Sequence, residues 1–315
     1  MTRLARLICI AVCLFVPDMA AAEPDTPPTL APDTERNAAM AHRLTATPNA
    51  GEEGRSVLLS MAVQGHASSQ YTLGLMHLEG GELPFDRAEA IKWLERAAMQ
   101  RHESARIHLA GMAARGDVAA HLALGLIARE IAGNGIAAAR HLRAAAAAGD
   151  PQGLLALGAL YGAGDGIDRD EAYAAILFRS ATAAAMSAVL RARPAATAGI
   201  LGPGSDEWLS DAASRTRSAH ATPPHDGAGQ PELFAYFWVG LTLLAGAGTA
   251  ADTPRGLAHL RSAAARGLDF AEFGLGLLYE RGHGLPRDLD LARQWFARAA
   301  AHGHPLAASR PEPDT

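Results

Sequence analysis

The stretch "FGLGLLYERGHGLPRDLDLARQWFARAAAHGH", residues 273 to 304, decides the fold. Taken alone it offers glycines, histidines and acids that could be chemistry. Aligned on the rest of the chain it becomes one copy of a unit. An apolar residue followed by glycine recurs as Leu73-Gly74, Leu157-Gly158, Val239-Gly240 and Leu275-Gly276. Twelve residues after each glycine stands an acid: Asp86, Asp170, Asp252, Asp288. Twenty-three after it stands an alanine (Ala97, Ala181, Ala263, Ala299), and five before it a small residue (Ser69, Gly153, Ala235, Ala271). The last two copies lie 36 residues apart, a period typical of stacked helical repeats. A fifth copy surrounds Leu124-Gly125, with a loop about three residues shorter and Ala145 at the alanine position.

Each copy predicts a helix, a tight loop and a second helix. Tyr71, Leu155, Phe237 and Phe273 lie three residues before the glycine, on one face at helical spacing. Loop glycines such as Gly282 and Gly284 permit the positive φ that ends a helix and reverses the chain. The acid after the loop suits the start of the second helix, where a carboxylate caps free N–H groups and favours the dipole. A bulky residue such as Trp93 or Trp295 and the paired alanines then seat the second helix against its neighbours.

Outside the clear copies the pattern weakens. "SVLLSMAVQGH" (56–66) matches "KWLERAAMQRH" (92–102), so the array is expected to open with a lone second helix as its cap. Residues 103 to 131 hold two helical segments where one is expected. In 186 to 231, "DEWLSDAASRT" places Ala212 and Ala213 at the usual spacing from Trp208. This predicts a degenerate unit, its first helix broken at Pro194 and followed by the linker "ATPPHDGAGQP" (221–231).

The order small residue, Leu-Gly, aromatic, Gly-x-Gly, Asp, Ala, Trp, Ala-Ala, Gly resembles the Sel-one-like repeat family, a branch of the tetratricopeptide-type helical repeats. The last copy carries it through Ala271, Gly276, Tyr279, Gly282, Gly284, Asp288, Ala292, Trp295, Ala299, Ala300 and Gly303. Departures are Glu82 at a loop-glycine position and His141 and His259 at the Trp position. The resemblance implies an all-α, right-handed α-solenoid of stacked helix–loop–helix repeats over residues 53–305. It also implies a concave helical face that binds a protein or peptide partner.

The rest of the chain bears on location and chemistry. "MTRLAR", then "LICIAVCLFV", then "AAA" reads as a signal peptide over 1–22, cleaved after Ala22, with no stable membrane insertion afterwards. This gives a periplasmic or secreted expectation. Residues 23–52 are a Pro-rich leader and 306–315 a tail, both expected to be disordered. Both cysteines, Cys9 and Cys13, fall in the leading segment, so the mature chain offers no thiolate chemistry. A net charge of -5, with one lysine against 27 arginines and no basic run, gives no nucleic-acid signature. The 13 histidines suggest no metal site, because His302 and His304 are two apart near a helix end. "LGPGSDEW" around Ser205 is a helix start rather than a nucleophile elbow. No cofactor motif and no catalytic constellation emerge, so a non-enzymatic scaffold is favoured over a cell-wall enzyme or ligand-binding protein acting on peptidoglycan fragments. The candidate partner contacts are the residues the repeat leaves unassigned: Tyr236, Trp238, Glu272, Arg281 and His283.

Overall fold

The computed structural model describes residues 51–80, 83–192, 199–201, 205–221, 231–247 and 251–308. The signal segment, most of the leader, Glu82, Pro194, most of the 221–231 linker and residues 309–315 lie outside the described residues. Among the described residues every regular element is a helix. In chain order these are α1 (Gly51–Val63), α2 (Ala67–Glu79), α3 (Arg87–Met99), α4 (Glu103–Ala114) and α5 (Val118–Glu130). They continue as α6 (Gly135–Ala147), α7 (Pro151–Ala163), α8 (Glu171–Ala192), α9 (Ser205–Ala221) and α10 (Pro231–Ala245). The last are α11 (Thr253–Ala265), α12 (Asp269–Arg281), α13 (Leu289–Ala301) and the short α14 (Pro305–Ala308). The chain divides between Ala148 and Gly149 into two compact units, each an all-α stack of helix pairs in the manner of a solenoid.

The second helices start where the acids predict. Asp86, Asp170, Asp252 and Asp288 each accept a hydrogen bond from the backbone N–H three residues on, at 2.9, 2.8, 3.1 and 2.9 Å. Asn134 does the same for the shorter-loop copy, at 2.9 Å. Such a cap satisfies one of the four free donors at a helix start and contributes about 1 kcal/mol. At the other end, Gly164 and Gly282 close α7 and α12 with φ of 68° and 71°.

Each pair is held by the repeated glycine. A methyl placed on Gly74 would sit 2.8 Å from Leu94 Cγ, on Gly125 2.7 Å from Leu142 Cγ, and on Gly158 2.8 Å from Phe178 Cε1. Gly240 meets Leu260 and the Gly256 carbonyl at about 3 Å, and Gly276 meets the Phe296 ring. The glycine is therefore a notch that accepts a bulky side chain of the second helix. That side chain is the residue after the Trp position, not the Trp itself. Trp93 instead packs back against Leu58 and Ala62 of α1. Trp93 thus seats its pair on a neighbour as expected, and that neighbour is α1, on the amino-terminal side of the pair. Ala97, Ala145, Ala181, Ala263 and Ala299 are all wholly buried, as close helix approach requires.

Residues 103 to 131 form α4 and α5 in succession, so one additional helix lies between the pairs α2–α3 and α5–α6. The first described helix begins at Gly51, inside the stretch assigned to the leader, and Pro305–Ala308 is helical where the tail was expected from 306. At the join of α3 and α4, Arg101 has φ 65° where the equivalent Gly65, Gly267 and Gly303 have 100°, 86° and 87°. An L-residue held there costs about 1–2 kcal/mol.

The break expected at Pro194 lies outside the described residues, and what is described of the degenerate unit does not stand in the stack. Helix α8 runs unbroken through residues 186 to 192 and packs directly on α10, where Thr242 Oγ1, which donates to the Trp238 carbonyl at 2.7 Å, comes within 3.5 Å of the Ala185 carbonyl. The stack passes from α8 to α10, and α9 lies beside it rather than within it. By length and composition α8 could cross a bilayer; here its Ala174, Leu177, Phe178, Ala181, Ala185 and Val189 are buried among its neighbours.

Two glycines in one unit separate the notch from ordinary helix propensity. Gly125→Ala should destabilise, because overpacking costs about 1–3 kcal/mol against a propensity gain below about 1 kcal/mol. Gly111→Ala, where a methyl would meet only the Arg115 Nη1 at 3.6 Å, should stabilise by roughly 0.5–1 kcal/mol. Urea unfolding of both variants measures the difference.

Candidate functional site

The unassigned positions of the first helices turn out to be occupied inwardly. Four residues before the notch glycine stand Gln70, His121, Leu154, Tyr236 and Glu272. Residues i and i+4 share a helix face, so this position must face the second helix just as the glycine does. Gln70 is buried, donates to the Ala62 carbonyl at 3.0 Å and accepts from Gln100 at 2.8 Å. His121 and His141 meet Nδ1 to Nδ1 at 3.1 Å. Tyr236 is half-buried, its ring 5.5 Å from that of His259. Glu272 is wholly buried, 3.0 Å from Arg298 Nη2 and 2.7 Å from His302 Nδ1. Its carboxylate is a tie between α12 and α13, and the expectation that it stands free for a partner is corrected.

Trp238 is corrected for a different reason. It is wholly buried, and its Nε1 donates to Thr216 Oγ1 of α9 at 3.0 Å. Helix α9 touches α8 and α10, and reaches α12 through Trp208 and Arg215. Its buried face carries Ser205, Trp208, Leu209, Ala212, Ala213 and Thr216, an apolar stripe at helical spacing. Trp208 lies edge-on to Phe237 at 5.8 Å, with the far edge of its indole beside Gly274. Its Nε1 donates to His304 Nε2 at 3.0 Å. Arg215 Nη1 pairs with the buried Asp269 carboxylate at 2.8 Å, and its guanidinium lies 4.4 Å from the centre of the Phe270 ring. The face that receives α9 thus has an aromatic floor (Phe237, Trp238, Phe270, Phe273), one carboxylate and one imidazole.

Arg281 is exposed and His283 partly so, at the carboxyl end of α12 and in the loop after it. Neither belongs to the α9 seat. The loop histidine does not join His302 or His304: those are engaged with Glu272 and Trp208. Among the described residues no group of three metal-ligating side chains comes together.

Burial governs the histidines. His304 is packed flat on Phe273, ring centres 4.2 Å apart, and desolvation pushes its pKa down to about 4. It is therefore neutral at pH 7 and can accept the Trp208 N–H. A neutral imidazole has one acceptor nitrogen, so the longer 3.3 Å approach of the Ala307 N–H to Nδ1 is not a second full hydrogen bond. Burial likewise pushes His259 down to about 3, with the nearby Arg255 acting in the same direction.

With the pairs and the α9 seat described, the chain can be set beside known proteins. The Sel1 repeat model matches residues 67–102, 151–185, 233–268 and 269–304. This is a Sel1-like repeat protein. The matched Sel1 repeats coincide with α2–α3, α7 with the first part of α8, α10–α11 and α12–α13. The α5–α6 pair lies outside the matched segments yet keeps the glycine notch, at Gly125 and Leu142. Helix α9 lies outside them as well. Sel1-repeat proteins are in general protein-interaction scaffolds. Similar solved structures include a Sel1 repeat protein from Oxalobacter formigenes, 21% identical over 95% of this chain and 97% of that one, at a TM-score of 0.29. A protective antigen (c5321) of uropathogenic Escherichia coli is 20% identical over 88% and 78%, TM-score 0.26. A Sel1 repeat protein from Klebsiella pneumoniae is 17% identical over 80% and 94%, TM-score 0.24. No curated protein matches.

The buried imidazoles set a pH dependence. Unfolded, His259 and His304 titrate near 6.5; folded, they resist protonation down to about 3 and about 4. Between about pH 6.5 and pH 4 the unfolded chain binds protons that the folded chain refuses, so stability falls as pH falls. The thermal midpoint at pH 5 should be below that at pH 7.5, and His304→Gln should flatten the difference. Circular-dichroism melts at the two pH values give the answer; a midpoint that rises toward pH 5 contradicts it.

Proposed function

We propose that the protein is an exported, non-catalytic scaffold that holds a protein or peptide partner on the side of its first helices. The observation that carries this reading is the seat on α10 and α12. It holds a peptide helix by a Trp edge-on to aromatics, an Arg on a carboxylate and a ring, and a cap of small apolar residues. This is the helix-in-groove mode of peptide recognition, displayed with a segment of the chain itself as the guest. The aromatic and Arg content of the contact is that of interface centres.

The acids and imidazoles that could have served chemistry have structural employment. The loop acids cap helices, Glu272 ties α12 to α13, and His304 accepts from Trp208. Export rests on the basic start, apolar run and small-residue end of residues 1–22. The composition of those residues also supports a periplasmic or secreted location over a cytoplasmic one.

Two measurements test the proposal. Amino-terminal sequencing of the protein from an envelope fraction should begin at Glu23; an intact Met1 in a cytosolic fraction overturns export. Immobilised protein challenged with periplasmic extract should retain a discrete protein in a stoichiometric amount. Retention of peptidoglycan fragments without any protein overturns the scaffold reading.

A further inference from the structure

Helix α9 has a place in the sequence that it does not have in the stack. Its Trp208, Ala212 and Ala213 repeat the spacing of a second helix, and a second helix would be inserted between α8 and α10. Instead α8 and α10 pack on each other without it. Removing α9 in thought leaves the pairs α7–α8, α10–α11 and α12–α13 in contact with one another as before. It also takes away the Trp208 ring from Phe237 and Phe273, the Arg215 guanidinium from Phe270 and the Thr216 acceptor from Trp238, four aromatic residues of the kind that mark a partner site when they lie together at a surface.

The contacts of α9 are specific rather than a general apolar cover. Trp208 reaches an imidazole kept neutral by its burial, with its Nε1 donating to His304 Nε2 at 3.0 Å. Arg215 answers the buried carboxylate of Asp269 in α12 and lies over the Phe270 ring. Thr216 donates to the Ala212 carbonyl at 2.7 Å and so presents its lone pair to Trp238. The outer face is solvated: Glu207, Ser210, Ser214, Arg217 and Ser218 are exposed. An amphipathic helix with an aromatic anchor and an Arg seven residues on is what a bound peptide looks like.

We propose that α9 is an internal ligand: it occupies the partner-binding face of the last two helix pairs and yields it to a partner helix of the same chemistry. That partner carries a Trp, small apolar residues four and five positions later and an Arg at the seventh, matching Trp208, Ala212, Ala213 and Arg215. The proposal rests on the scaffold reading for what the face is for, and adds what keeps it closed. An intramolecular guest acts at a high effective concentration, so only a partner with better contacts or a high local concentration opens the face. In the absence of such a partner, the aromatic floor is kept from non-specific association.

The experiment uses the full chain and a labelled peptide of residues 205–221. A variant carrying Trp208→Ala and Arg215→Ala loses both anchors of the internal helix while the seat stays intact. It should bind the peptide one to one, and the unaltered protein should bind it at least about tenfold more weakly, because its seat is filled. A variant that keeps a cooperative melt and wild-type helicity beyond α9, yet takes up no peptide, overturns the proposal. Should the variant not fold, hydrogen exchange on the unaltered protein decides. Amides of α9 should open in a sub-global step while α10 to α13 stay protected. Exchange of α9 only together with α10 and α12 overturns the proposal. Peptide binding by the variant, with no envelope protein retained by either form, supports the internal ligand and overturns the scaffold reading. Equal capture of an envelope protein by both forms does the reverse.

Discussion

The structure depends on one contact: a glycine in each first helix accepts a large side chain from the second helix of its pair. Gly74 with Leu94, Gly125 with Leu142, Gly158 with Phe178, Gly240 with Leu260 and Gly276 with Phe296 are five instances of it. With no Cβ in the way, the two helices come close enough for the alanines at the remaining positions to be wholly buried. The contact also sets rotation. Once the glycine faces its partner, the residue one turn earlier must face it too, and the aromatic three before must look along the stack. Tyr71 accordingly stacks on His102 at 4.7 Å, and Phe273 on His304 at 4.2 Å, each against the start of the following helix. A pair so built has no core of its own, and its apolar surface is buried by the pairs beside it.

That geometry explains why so many of the acids and histidines of the repeats are engaged within the fold. The polar residues are placed at helix starts, where four N–H groups need acceptors, or one turn from the notch, where two helices leave a narrow gap. A buried carboxylate there survives because it is matched, as Glu272 is by Arg298 and His302. Asp269 is matched by an arginine from outside the stack, which makes α9 part of the polar bookkeeping of α12.

Much of this was legible in the sequence. The capping role of Asp86, Asp170, Asp252 and Asp288, the helix–loop–helix order and the two helices in 103 to 131 follow from spacing and dipole arguments that use only local chain. Three things were not legible, and for a common physical reason. Periodicity identifies a face without naming the neighbour that covers it. Trp93 and Leu94 are adjacent, both bulky and both buried, and only packing tells that the second fills the notch. Glu272 and Tyr236 look variable across the copies, which suggested surface. The signal that could have corrected this is their distance of four from the glycine. Helix α9 carries the Trp and Ala-Ala spacing of a repeat, so its sequence argued for a place in line. The direct packing of α8 on α10, which excludes it, joins residues far apart in the chain.

The central claim is that the glycine notch and its bulky partner form one energetic unit, and a double-mutant cycle on the last pair tests it most directly. Gly276→Ala adds a methyl where the Phe296 ring lies, and Phe296→Leu shortens the intruding side chain. Measured by urea unfolding, the two changes together should cost less than their sum by about 1 kcal/mol or more, the coupling expected of residues in direct contact. Strict additivity would mean that the glycine is tolerated for some reason other than this contact, and would contradict the account.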